Sequence, residues 1–329
     1  MGKKSVDIYG TLGPSCDDTA LLKEMFDAGM TGIRINMSHI MLTDCMESIL
    51  RIHEAAGQSG IVPKILIDMQ GPELRIGRFR GEMILEDGKS YFLGSKGILL
   101  EDKILEQIET GDEILFDDGR ILAEVTDRDT DLARIVIRRG GKLTQKKSVL
   151  VKGREIMLPA VTDDDRENLR KAGEIGIAGI MQPFVRSRED LLTVRRTLME
   201  CGCGDMKVFA KIENRAGIEN LESYFDVCDE IVIARGDLGN SMPLWKLPGV
   251  QKEIAAKCTG SGMPFMVVTQ MLSSMEKSRV PTRAEVSDIY NSVLDGASSV
   301  MVTGETAVGD YPVEVIRFLA NTVREALCV

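Results

Sequence analysis

Eight short runs rich in β-branched and apolar residues recur along this chain, each followed by a longer amphipathic segment. The runs lie at 6–12, 32–38, 64–69, 177–184, 207–213, 230–235, 264–270 and 299–305. The helical patterns fall at 17–29, 42–57, 163–175, 187–201, 215–225, 246–261, 282–295 and 312–327. Regular alternation of strand and helix implies a parallel sheet. Eight such units predict a (β/α)8 TIM barrel rather than an open sheet. The rhythm breaks once, between about 76 and 157, where short alternating segments (MILEDG, EILFDDG, ILAEVTD, ARIVIRR) are punctuated by Asp87-Gly88 and Asp118-Gly119. Such pairs are hairpin signals. The expectation is a catalytic barrel from 1–75 and 158–329, with a small all-β domain at 76–157 inserted after strand three, where a loop on the catalytic face belongs.

Composition narrows the field. A net charge of −10 argues against a nucleic-acid surface, though arginines and lysines in a cleft still allow an anionic small substrate. No apolar run approaches 18 residues and the N-terminus has no signal core, so a cytoplasmic protein with no membrane contact is expected. The seven cysteines are scattered, and Cys201 and Cys203 lack the further ligands that a zinc site needs. With only His39 and His53, histidine acid–base chemistry is not favoured. Neither a P-loop nor a dinucleotide fingerprint is present, so any nucleotide is bound another way.

The chemistry concentrates at the C-terminal ends of the candidate strands, where barrel enzymes place their catalytic groups. In 32–38, alternation puts Arg34, Asn36 and Ser38 on one face. A cation and two polar oxygens on a barrel strand need a reason, since such strands are normally apolar on both sides. In 207–213, Lys211 and Glu213 point the same way, which also fits a structural ion pair. The run Ile231-Val232-Ile233-Ala234-Arg235-Gly236-Asp237-Leu238-Gly239 ends in glycines that permit close approach of a ligand, with N–H groups available to an anion. Asp237 and Glu213 supply two carboxylates from adjacent strand ends, a common way to hold magnesium together with substrate oxygens and water. Asp68, Thr269, Thr303 and Glu305 occupy other strand ends.

These segments resemble the pyruvate kinase family. Gly71-Pro72-Glu73-Leu74-Arg75, Ile35-Asn36-Met37-Ser38-His39, Lys211-Ile212-Glu213-Asn214, Ala234-Arg235-Gly236-Asp237-Leu238-Gly239, Thr269-Gln270-Met271-Leu272, Pro281-Thr282-Arg283-Ala284-Glu285 and Gly304-Glu305-Thr306-Ala307 are similar to its signatures, and Asp117-Asp118-Gly119 to its lid domain. The resemblance runs from about 7 to 327 in the family's order. It implies phosphoryl transfer from phosphoenolpyruvate to ADP, giving pyruvate and ATP. It further implies that Lys211 stabilises the phosphoryl and enolate charge, and that Glu213 and Asp237 bind magnesium or manganese. Asn36, Ser38, Asp68 and the carbonyl of Met69 would bind potassium, with Glu73 as the acid of potassium-dependent members. Arg34 would contact the phosphoryl group, Arg75 and His39 (with Asn36 nearby) would face ADP, and the backbone at Gly236 and Asp237 would hold the substrate carboxylate. Thr269 would sit by the enolate methylene carbon, with Thr303 and Glu305 in the proton path.

Several positions depart from the family pattern: Gln70 for lysine, Ile40 for glycine, Thr303 for serine, and Pro183 within Gln182-Pro183-Phe184-Val185-Arg186. The chain ends after the last barrel helix. The resemblance therefore implies no C-terminal effector domain, no sugar-phosphate control there, and a homodimer through the barrel. A metal-dependent lyase or aldolase handling pyruvate enolate, or a non-catalytic phosphoenolpyruvate or nucleotide sensor, are the competing functions.

Overall fold

The computed structural model describes residues 5–38, 40–117, 119–154 and 156–328. Fifteen strands are found among them. Strands β1 (Asp7–Thr11), β2 (Gly32–Asn36) and β3 (Lys64–Asp68) come first. A second group follows: β4 (Glu82–Leu85), β5 (Ser90–Gly94), β6 (Glu113–Phe116), β7 (Ile121–Arg128), β8 (Leu132–Arg139), β9 (Gly141–Thr144) and β10 (Val149–Val151). Then come β11 (Gly179–Gln182), β12 (Lys207–Ile212), β13 (Glu230–Ala234), β14 (Phe265–Val268) and β15 (Ser299–Met301). The first three and the last five close into a barrel of order β1-β15-β14-β13-β12-β11-β3-β2, parallel at every pairing. The predicted eight-stranded barrel is the observed one, each strand lying within its predicted run.

Alternation along the strands builds two cores. Val232, Ala234, Met266, Val268, Leu66 and Phe209 belong to a core of their own inside the barrel. Their neighbours Ile231, Ile233, Phe265 and Val267 join the larger core between strands and helices. At one level of the inner core the Tyr9 ring fills the space beside Gly32. A β-carbon at Gly32 would lie 2.3 Å from that ring and 2.5 Å from the Lys64 carbonyl.

Several helices start on sequence-encoded caps. The Asp18 side chain accepts from Leu21 N at the head of helix Thr19–Ala28, and Ser187 caps Arg188–Glu200 in the same way. Thr162 with Asp165, and Thr282 with Glu285, form reciprocal capping boxes for Asp163–Ala172 and Arg283–Leu294. No helix among the described residues is long and apolar enough to cross a membrane.

The chain divides into two compact units, residues up to Gly71 with those from Ala160 onward, and Pro72–Pro159. The second carries a five-stranded antiparallel sheet of order β10-β6-β7-β8-β5 and a two-stranded sheet β4-β9, over a core including Ile114, Phe116, Ile121, Ile135 and Ile137. Gly119, at φ +81°, turns β6 into its partner β7. Asp87-Gly88 turns the chain but makes no hairpin: β4 pairs with β9 and β5 with β8. Asp118 lies outside the described residues.

Candidate active site at the barrel's C-terminal strand ends

The inner face of the barrel changes character as the strands end. Two residues after Leu66 comes Asp68, and two after Phe209 comes Lys211, so alternation carries both side chains on along the inner face. Arg34 does the same two residues after Gly32. These three meet. Arg34 Nε donates to Asp68 Oδ2 at 2.8 Å, and its Nη2 lies 2.7 Å from the same oxygen. Lys211 Nζ lies 3.3 and 3.2 Å from the two Asp68 oxygens and 3.0 Å from Glu213 Oε1. The other Glu213 oxygen accepts from Phe184 N at 2.8 Å.

All four charges are buried or nearly so, the Asp68 and Glu213 side chains being 3% and 1% exposed. Burial by itself would depress the Lys211 ammonium, but Asp68 and Glu213 outweigh it and hold its pKa above the ordinary lysine value. Burial by itself would raise Asp68, yet Lys211 and Arg34 hold it below the usual carboxylate range. Glu213 is different. Burial pushes it up to about 7, and although Lys211 opposes this, the charges of Asp237 and Asp68 add to the rise. Three carboxylates thus face two fixed cations, and Glu213 is the one whose negative charge is disfavoured when no further cation is present.

That disfavoured charge is the observation that fits a bound cation. Glu213 and the half-buried Asp237 offer oxygen donors from neighbouring strand ends. Among the described residues no cluster of three or more His, Cys, Asp or Glu side chains forms a ready-made cage. Two carboxylates with the remaining positions left to substrate and water is the magnesium pattern rather than the calcium or zinc one. The residues named for potassium lie at the ends of β2 and β3. Asn36 and Asp68 are register partners, Ser38 N donates to Asn36 Oδ1 at 3.1 Å, and Met69 follows directly. Ser38 lies in a turn past the end of β2 rather than in the strand itself.

Beside β12, β13 runs into a short helix, Arg235–Asn240, which begins at the last residue of the predicted strand run. Gly236 runs close to Thr269, and a β-carbon there would lie 3.1 Å from Thr269 Cγ2. Thr269 and Gln270 take positive φ values of 77° and 56°. Each such non-glycine conformation costs about 1–3 kcal/mol, and for a β-branched residue it is a marked outlier. Glu305 is buried, and its two oxygens accept from Leu272 N at 3.1 Å and Thr303 N at 2.7 Å. It joins the segment after β14 to the one after β15.

Arg75 and Glu73 belong to the second unit, where Arg75 Nε donates to Glu73 Oε2 at 2.9 Å and Nη1 to the Lys146 carbonyl at 2.6 Å. His39 lies outside the described residues. At the positions that depart from the family pattern, Pro183 packs where a β-carbon on Gly71 would meet it at 2.7 Å, and Ile40 is exposed. Asp165 reaches back from its capping box to hold Gln70 N and Gly71 N at 2.8 and 3.0 Å, fixing the exit from β3. Two partners in this site leave no trace in local sequence pattern. One is the backbone N–H of Phe184, at φ +50°, and the other is Arg235, whose contacts lie 34 and 53 residues away.

Fold and geometry together define a (β/α)8 barrel with a buried cluster of opposed charges at its C-terminal strand ends. A model of the pyruvate kinase barrel domain matches residues 3–316. The chain is 36% identical over 329 residues to a pyruvate kinase of Bacillus licheniformis, covering 97% of this chain and 56% of that one. It is 35% identical to that of Thermotoga maritima, covering 98% and 71%. The crystal structure of a pyruvate kinase from Cryptosporidium parvum superposes with a TM-score of 0.87 at 30% identity, covering 98% of this chain and 69% of that one. The chain belongs to the pyruvate kinase family. It spans little more than half the length of the Bacillus relative.

Proposed function

We propose that this chain carries the catalytic centre for phosphoryl transfer from phosphoenolpyruvate to ADP. The observation that carries the proposal is the position of Lys211, wedged between Asp68 and Glu213 beside Arg34 at the strand ends. Phosphoryl transfer needs positioning and charge neutralisation more than covalent help, and this cluster supplies two fixed cations in a largely buried setting. In this reading Lys211 donates to the oxygen that becomes the enolate, and Arg34 to the phosphoryl oxygens. The backbone N–H groups at Gly236 and Asp237 hold the substrate carboxylate. The enolate then takes a proton at its methylene carbon, beside the Thr269 hydroxyl. Thr303 lies on the proton path, oriented by Glu305, whose carboxylate accepts its N–H at 2.7 Å.

Glu213 and Asp237 would hold magnesium or manganese, and Asn36, Ser38, Asp68 and the Met69 carbonyl would hold potassium. When bound, the divalent ion neutralises charge on the phosphoryl and substrate oxygens. Arg75 and His39, with Asn36, are assigned to ADP. A homodimer through the barrel belongs to the same proposal, and sedimentation velocity tests it.

A lactate-dehydrogenase-coupled assay with phosphoenolpyruvate tests the reaction. Pyruvate is expected only when ADP, magnesium and potassium are all present. Pyruvate formed equally without ADP would mean that water accepts the phosphoryl group and would contradict transfer to ADP, and calorimetric binding of phosphoenolpyruvate without turnover would point to a sensor.

A further inference from the structure

Thr269 holds a backbone conformation that threonine adopts only when something keeps it there. Its φ of +77° comes directly after the ordinary buried strand Phe265–Val268, and Gln270 follows at +56°. The strain therefore begins where the chain leaves β14 for the site. What holds it is Arg235, a buried guanidinium on the first residue after β13. Its Nε and Nη2 both donate to the Thr269 carbonyl, at 3.0 and 2.7 Å. Nη2 also reaches Met271 Sδ at 3.0 Å, and Nη1 pairs with Asp288 at 2.5 Å. A carbonyl held by two donors of one planar group cannot swing without losing both, so the 269–270 peptide plane is fixed.

The same guanidinium ties the end of β13 to the end of β14. A β-carbon on Gly236, its immediate neighbour, would lie 3.1 Å from Thr269 Cγ2. The gap between the Gly236–Asp237 backbone and the Thr269 side chain is thus set by Arg235. We infer that Arg235 is a positioning residue of the transfer site, pinning Thr269 in its left-handed conformation so that the hydroxyl faces the carbon to be protonated. This rests on the function proposed above and adds to it a residue that touches neither substrate nor metal. Charge alone does not perform the task. A lysine at 235 would bring one point charge where a two-pronged planar donor is needed.

The test uses the full chain with magnesium and potassium, carrying Arg235→Met or Arg235→Lys, each alone and with Gln270→Gly. Misplacement of a reacting group by about 1 Å costs roughly 100-fold in rate, and both single variants are expected to lose kcat on that order. KM for phosphoenolpyruvate should move less than about threefold, because binding and transition-state contacts separate in this way. Glycine at 270 accepts positive φ without strain, so the double variants should recover about tenfold of the lost kcat. A role in stability alone would lower Tm without a kcat loss that glycine repairs. The proposal is overturned if kcat stays near that of the unaltered chain, or if lysine restores it fully. Should Arg235→Met fail to fold, Arg235→Lys carries the same test. If the unaltered chain forms no pyruvate, the reaction assignment is what has failed. A crystal structure of the Arg235 variant then decides the positioning role: Thr269 relaxed to negative φ supports it, and Thr269 still near +77° overturns it.

Discussion

Asp68 is the residue on which the site's charges turn, because it faces Arg34 and Lys211 at once from a buried position. Removing one member of a buried ion pair leaves its partner uncompensated and typically costs about 3–5 kcal/mol. Asp68→Asn is therefore expected to lower Tm clearly in a thermal melt, and more than Arg34→Met, which leaves Asp68 its second partner. Glu213 has the opposite character. Its pKa, raised by burial to about 7, means that it is largely protonated below neutrality in the metal-free protein. Its contribution to stability is then fully present at pH values below its unfolded pKa and is lost as pH rises through about 7. A divalent cation needs the carboxylate form. Manganese should thus raise Tm more at pH 8 than at pH 6. In Glu213→Gln the shift should be small and the pH difference absent. An equal shift at both pH values in the unaltered chain would separate Glu213 from metal binding.

At the scale of elements, the motif Pro281-Thr282-Arg283-Ala284-Glu285 has a local explanation. Thr282 and Glu285 box the head of helix Arg283–Leu294, and Glu285 also holds Ser274 N and Oγ at 2.8 and 2.5 Å. Gly32 is likewise fixed by a neighbour. Gly32→Ala would drive a methyl into the Tyr9 ring and the Lys64 carbonyl, and overpacking of this kind costs about 1–3 kcal/mol. Denaturant unfolding should show a lower midpoint, and an unchanged midpoint would mean that β1 and β2 can part freely. All eight barrel strands were legible in the sequence because strands buried on both faces form continuous apolar runs that end abruptly. Their ends were less so. Thr303 and Glu305 read as the tail of a strand, yet β15 stops at Met301 and a short helix, Gly304–Ala307, carries Glu305 to its two backbone donors. Arg34, Lys211 and Glu213 could be singled out because a charge on a barrel strand is anomalous. Arg235 could not, since its contacts on Thr269 and Asp288 are set by barrel closure and not by spacing along the chain.

Across the whole molecule, the chain builds two units with separate cores, and the barrel gathers a lysine, an arginine and two acids from β2, β3 and the end of β12, which lie far apart in sequence. Family membership gives that cluster a chemical setting, and holding a cation and steadying a phosphoryl group are the roles proposed for it. The most direct measurement is phosphorus NMR of phosphoenolpyruvate and ADP, with magnesium and potassium, for the unaltered chain and for Lys211→Ala. Removing one well-placed electrostatic donor typically costs roughly 100- to 1000-fold in rate. The phosphorus signal is expected to reappear as the γ-phosphate of ATP with the unaltered chain, and at least that much more slowly with the variant. Release as inorganic phosphate, or near-normal turnover in Lys211→Ala, would contradict a transfer centre built around this lysine.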